Sequence, residues 1–70
     1  MFVYTQHSVH KMDSIGILKE EVENVIFKGM KWKEQDTEKW HAQMAGIEVV
    51  FMKQDENFVI ITVYLARREK

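Results

Sequence analysis

The sequence predicts an α+β fold: two N-terminal helices packed on one face of a four-stranded antiparallel sheet. Three observations predict it. Apolar residues recur at helical spacing up to Gly29 and at every second position from Met30 onward. The alternating runs are joined by short polar turns, which suit an antiparallel meander. The last run, Asn57 to Ala66, is dense in β-branched and aromatic residues and free of Gly and Pro, as expected of a strand buried on at least one face.

Met1-Phe2-Val3-Tyr4 reads as a short edge strand or a tether. Thr5 is a candidate N-cap for a first helix, roughly Gln6 to Ser14. Val9 and Met12 share a face of it and should look inward, while His7, Lys11 and Ile15 form a separate stripe. Gly16 ends that run. In the second helix Leu18, Val22, Val25 and Ile26 follow the helical period, with Glu20, Glu21, Glu23 and Asn24 on the wet side. Glu20 and Glu21 complement the helix dipole at one end and Lys28 at the other, and Gly29 closes the helix. Near Leu18 no Ser, Thr or Asp is available as N-cap, so a poorly capped, frayed start is expected.

From there the period is two. Met30 to Gln35 and Lys39 to Ala45 alternate around an Asp36-Thr37 turn. Gly46 permits a tight hairpin into Ile47 to Lys53, and Gln54-Asp55-Glu56-Asn57 leads to the last strand. Strict alternation puts Val59, Ile61, Val63 and Leu65 on the core face, with Trp32, Trp40, Met44, Ile47, Val49 and Phe51. The opposite face then displays Lys31, Lys33, Lys39, His41, Gln43, Glu48, Val50, Met52, Phe58, Ile60, Thr62 and Tyr64. A sheet face left partly bare in this way binds something or dimerises.

Seventy residues make one domain, 1–70, and a core of that size leaves a thin stability margin that a homodimer would widen. There are no cysteines, hence no disulfide framework and no thiolate zinc site, which fits a reducing cytoplasm. No run of about eighteen apolar residues exists, and the start lacks a basic region followed by an apolar one. Neither a membrane span nor a secretion signal is expected. A net charge of −1 argues against coating nucleic acid by bulk electrostatics, so any RNA contact needs a local cluster.

Two constellations could carry chemistry. His7-x-x-His10 sets two imidazoles on adjacent helical turns, with His41 as a third histidine; no acidic residue or cysteine completes a recognised zinc signature, and the expectation is no metal. Lys28-Gly29-Met30-Lys31-Trp32-Lys33 is the densest basic patch and holds an aromatic ring. Lys31 and Lys33, with Lys39, His41 and Arg67, are candidate phosphate contacts for a single-stranded RNA. The plainer alternative is a core Trp32 flanked by solvated lysines, and a solubilising tail Arg67-Arg68-Glu69-Lys70. Phosphate loops, nucleophile elbows and nucleophilic cysteines are absent from the sequence.

His7-Ser8-Val9-His10-Lys11-Met12, then Gly16-Ile17, then Thr62-Val63-Tyr64 form a pattern that runs through nearly the whole chain. It resembles the small prokaryotic family called domain of unknown function 4258. Members of that family open with His-Ala-x-x-Arg-Met, continue with Arg-Gly-Ile and an acidic helix, and close on Thr-Val-Tyr. The family in turn looks related to the RelE- and BrnT-like ribonuclease toxins, so the resemblance implies a RelE- or barnase-like toxin fold. It also implies metal-independent RNA cleavage without a cofactor, and a cognate antitoxin as partner. Carried over by position, the site would hold His7, Lys11, Thr62 and Tyr64. Lys11 stands where the family has arginine, which keeps the charge and loses the bidentate fork. Ile15 stands where a second arginine is usual, and no charge survives there.

Such cleavage needs a base for the 2′-hydroxyl, a cation for the phosphorane-like charge and an acid for the leaving oxygen. His7 is the candidate base or acid, Lys11 the cation, and Tyr64 the donor. The alternative is a non-catalytic module that binds nucleic acid or protein, or a homodimer through the open sheet face. A shared site also sets a geometric condition. Thr62 and Tyr64 sit on the sheet face opposite the helices, so the first helix must lie at the sheet margin for His7 to reach them.

Overall fold

The change of apolar period after Gly29 marks the passage from helix to sheet. The computed structural model describes residues 1–66, and the Arg67-Arg68-Glu69-Lys70 segment lies outside the described residues. In chain order the elements are β1 (Phe2–Tyr4), α1 (Gln6–Ile15), α2 (Lys19–Lys28), β2 (Met30–Lys33), β3 (Lys39–Met44), β4 (Ile47–Gln54) and β5 (Asn57–Leu65). The strands form one sheet in the order β1-β5-β4-β3-β2. The sheet is therefore five-stranded and mixed, not four-stranded and antiparallel: β1 pairs parallel with β5 through Phe2↔Phe58, Val3↔Val59 and Tyr4↔Ile60. A three-residue run carries too little periodicity to show in the sequence, and its pairing puts β5 inside the sheet. The antiparallel meander from β2 to β5 is as expected.

Both helices cover one face. Met12 and Ile17 join Val22, Val25 and Ile26 of α2 over Ala42, Val49, Phe51, Ile60 and Val63 of the sheet. Val9, expected inward, is 39% exposed, and the fully buried residue of α1 is Ser8, whose hydroxyl donates to the Thr5 carbonyl at 2.7 Å. Leu18 offers no side-chain acceptor at the start of α2, but Glu21 Oε1 accepts the Leu18 N–H at 2.8 Å. One orphan donor is thereby satisfied without a Ser or Thr. Gly29 closes α2 for reasons of space, since a Cβ there would lie 2.5 Å from the Val25 carbonyl oxygen and 2.6 Å from that of Gln43. The β3–β4 turn holds Ala45 and Gly46 at φ 53° and 80°, the positive pair that a type I′ hairpin requires.

Strict alternation fails at two places. Between β4 and β5 the register slips: Val50 faces Thr62, but Phe51 faces Ile60, leaving Ile61 as the extra residue of a β-bulge. Phe58 and Ile60 consequently pack in the core beside Val63, and Val59 turns to the open face opposite Met52. In the β2–β3 hairpin Trp32 pairs with His41, while Lys31 pairs with Ala42 and Lys33 with Trp40. Trp32 thus lies on the open face, 39% exposed, and not in the core. Lys31 and Lys33 point to the helix side, where their ammonium groups donate to the Gly29 and Thr37 carbonyls at 3.1 and 2.6 Å. The phase of β2 depends on the length of the loop before β3, which alternation alone does not reveal.

Candidate active site

The bulge is what brings α1 to the site. β1 ends where Tyr4 pairs with Ile60, and the chain turns into the helix at Thr5. The Thr5 hydroxyl donates to the Ile60 carbonyl at 2.8 Å and lies 3.3 Å from that of Ile61. The same oxygen accepts the Ser8 N–H at 3.1 Å, so one side chain both caps α1 and fastens it to the bulged edge of β5. His7, two residues on, then stands with Nε2 at 3.1 Å from Thr62 Oγ1. The helix lies at the sheet margin, and the geometric condition set by the sequence is met for His7 and Thr62. Lys11 follows one turn later on α1; its ammonium makes no hydrogen bond or ion pair among the described residues. Thr62 and Tyr64, two apart on β5, leave the sheet on the same side, paired with Val50 and Glu48 of β4.

From Tyr64 a chain of short contacts crosses the open face. The Tyr64 hydroxyl donates to Glu48 Oε2 at 2.6 Å, and His41 Nδ1 meets the same oxygen at 2.7 Å. Gln43 donates to Glu48 Oε1 at 3.1 Å. On its far side His41 Nε2 meets Glu34 Oε2 at 2.6 Å. The Trp32 ring lies nearly parallel to the imidazole, 5.2 Å between centroids and 5° between planes. The network runs across β2 to β5 and draws one acid, Glu34, from the β2–β3 turn.

The electrostatics follow from these contacts. With a carboxylate at each ring nitrogen, His41 satisfies both contacts as a donor only in its imidazolium form. Partial burial works against that charge, but the hydrogen bonds and charges of Glu34 and Glu48 outweigh it and raise the pKa of His41 above its ordinary 6.5. The His41 hydrogen bond holds the Glu34 carboxyl below its ordinary range, against the cost of lost hydration. Donation to Glu48, helped by burial and by the carboxylate charges, pushes the Tyr64 phenol up to about 12. Glu48 is only 8% exposed, and its three partners leave neither oxygen unpaired.

Of the candidates read from sequence, His7, Thr62, Tyr64, Lys39 and His41 share the open face or its margin, and Lys31 and Lys33 lie on the other side. Arg67 lies outside the described residues. Sequence reasoning missed Glu34, Glu48 and the face of Trp32 as parts of the site. The signal for Glu48 was present, because alternation set it beside His41 and Tyr64. Among the described residues no group of three His, Cys, Asp or Glu side chains could hold a metal ion, and no concave pocket is present. Neither helix is long and apolar enough to cross a membrane. No family model, no curated protein and no solved structure matches the chain.

Proposed function

We propose that the open sheet face cleaves RNA without a metal ion, by transfer of the phosphodiester to the neighbouring 2′-hydroxyl. One observation carries this reading: His7 of α1 and Thr62 of β5, 55 residues apart, meet at 3.1 Å beside the chain of Tyr64, Glu48 and His41. The resemblance to the domain of unknown function 4258 family, and through it to RelE- and BrnT-like toxins, supports the same residues; a cognate antitoxin belongs to this proposal.

In the reaction, His7 Nδ1 takes the proton of the attacking 2′-hydroxyl, while Nε2–H donates to Thr62 Oγ1 and so fixes the ring and its tautomer. The 2′-oxygen bonds to phosphorus and the 5′-oxygen leaves, giving a 2′,3′-cyclic phosphate and a new 5′-hydroxyl. Lys11 supplies positive charge to the developing phosphorane. The Tyr64 phenol, held protonated by Glu48 before the reaction, turns its O–H from Glu48 to the leaving alkoxide and gives it the proton, since the alkoxide is the stronger base; water then reprotonates the phenolate. Purified protein incubated with mixed RNA in chelator tests the proposal, with His7→Ala as the control that loses cleavage.

A second reading keeps RNA as the ligand and drops the chemistry. It is favoured by the half-exposed Trp32 lying flat beside His41, a platform on which a base can stack. Intact RNA that nevertheless shifts on a gel, and stops shifting with Trp32→Ala, selects that reading.

A further inference from the structure

The two carboxylates on His41 are built differently. Glu48 is buried on β4 and held by Gln43 and Tyr64 as well, so it is a fixed counterion of the imidazolium. Glu34 sits beyond the end of β2, its side chain 36% exposed, and its other partner is the Thr37 hydroxyl at 3.2 Å in the same turn. Moving Glu34 aside would leave His41 charged through Glu48, with one N–H pointing outward. Lys39 stands directly across the hairpin, its carbonyl accepting the Glu34 N–H at 2.9 Å, and its side chain belongs to the same face as His41. The parallel Trp32 ring keeps the imidazole plane fixed while its partner is exchanged. A carboxylate oxygen 2.6 Å from a cationic N–H occupies the place that a phosphate oxygen would take.

We propose that His41 Nε2 and the Lys39 ammonium form an oxyanion-binding position for the phosphate of a phosphodiester, and that Glu34 fills it from within until the ligand displaces it. Assigning that phosphodiester to an RNA substrate rests on the reading above; the position itself does not. The exchange puts a phosphate oxygen where the carboxylate oxygen was, so His41 Nε2 keeps an anionic partner and Glu48 keeps its bond to Nδ1. Free apparent affinity is lowered by the fraction of molecules in which Glu34 occupies the position.

The test follows the His41 ring nitrogens by nitrogen-15 NMR at about pH 6, where the imidazolium is retained. Inorganic phosphate and a 2′-deoxy dinucleoside monophosphate, which cannot be cleaved, are titrated into the wild type, Glu34→Gln and Glu34→Ala. Both ligands should bind Glu34→Ala tighter than the wild type, on the order of tenfold, with Glu34→Gln between them and the shift centred on Nε2. Adding His41→Gln to Glu34→Ala, with binding then followed by the backbone amide shifts of Trp32 and Lys39, should abolish the gain. Equal affinity in the wild type and Glu34→Ala, with His41 still an imidazolium, overturns the proposal. A gain for phosphate alone overturns the phosphodiester assignment. Because the titration reads no cleavage, diester binding at Nε2 by a protein that leaves RNA intact supports this position while the catalytic reading fails.

Discussion

Replacing Glu48 with glutamine removes one charge from the centre of the open face and changes little else in shape. Both of the short contacts to Glu48, from His41 Nδ1 at 2.7 Å and from the Tyr64 hydroxyl at 2.6 Å, end on Oε2. In Glu48→Gln the new side-chain amide can offer its oxygen to those two donors and its NH2 to a flipped Gln43. The Tyr64 bond then falls from a charge-assisted one, worth about 1.5–3 kcal/mol, to a neutral one worth about 0.5–1.5 kcal/mol, and the His41 bond loses its anionic acceptor. Two such bonds give a loss of about 2 kcal/mol, which in a domain of this size lowers Tm by roughly 8–16 °C. The variant should also flatten the pH profile. The folded pKa of His41 lies above 6.5, so its stabilisation is full below pH 6.5 and is lost as pH rises through the raised value. The folded pKa of Glu34 lies below its ordinary 4.5, so its contribution is present above pH 4.5 and is lost as pH falls through the lowered value. Wild-type stability should be greatest between these limits and decline on the alkaline side, and Glu48→Gln should lose much of that alkaline decline. Urea unfolding followed by tryptophan fluorescence across this range measures both effects. A cost under about 0.5 kcal/mol, or a wild-type profile flat through neutral pH, would refute the ion-paired imidazolium.

Other expectations concern single positions. Gly29→Ala places a Cβ against two backbone carbonyls that cannot easily yield, and should cost about 1–3 kcal/mol by urea unfolding. Ala45→Asn puts a residue tolerant of positive φ before Gly46 and should raise stability by about 0.5–1 kcal/mol; a lower urea midpoint would contradict the turn assignment. Tyr64→Phe should cost about 1 kcal/mol of stability and, if the phenol is the acid, roughly a hundredfold in RNA cleavage rate.

The sequence showed the fold class, the helices and the strands from Met30 onward, because each has enough residues for its apolar period to be read. It did not show what depends on a single residue of phase. In β5 the residues around the bulge are Val59, Ile60, Ile61 and Thr62, and an unbroken apolar run gives no sign of which one is extra. Strict alternation therefore exchanged Phe58 and Ile60 for Val59 and Ile61, while Thr62, Tyr64, Val63 and Leu65 beyond the bulge kept their expected faces. The pairing of His7 with Thr62 was legible as a condition, since a shared site required α1 at the margin. What satisfies that condition is Thr5 bonded to the bulge, a tertiary contact with no local signature. Glu34 escaped notice because a turn carboxylate is explained by solvation until its partner is seen.

Whether His7 and the open face form one catalytic site for RNA is tested most directly by incubating the protein with mixed RNA in excess chelator and resolving the products. Cleavage by the wild type to 2′,3′-cyclic phosphate ends, lost by at least roughly a hundredfold in a folded His7→Ala with unchanged urea midpoint, is the predicted result. Uncleaved RNA at high protein concentration, or cleavage that His7→Ala leaves intact, would contradict it.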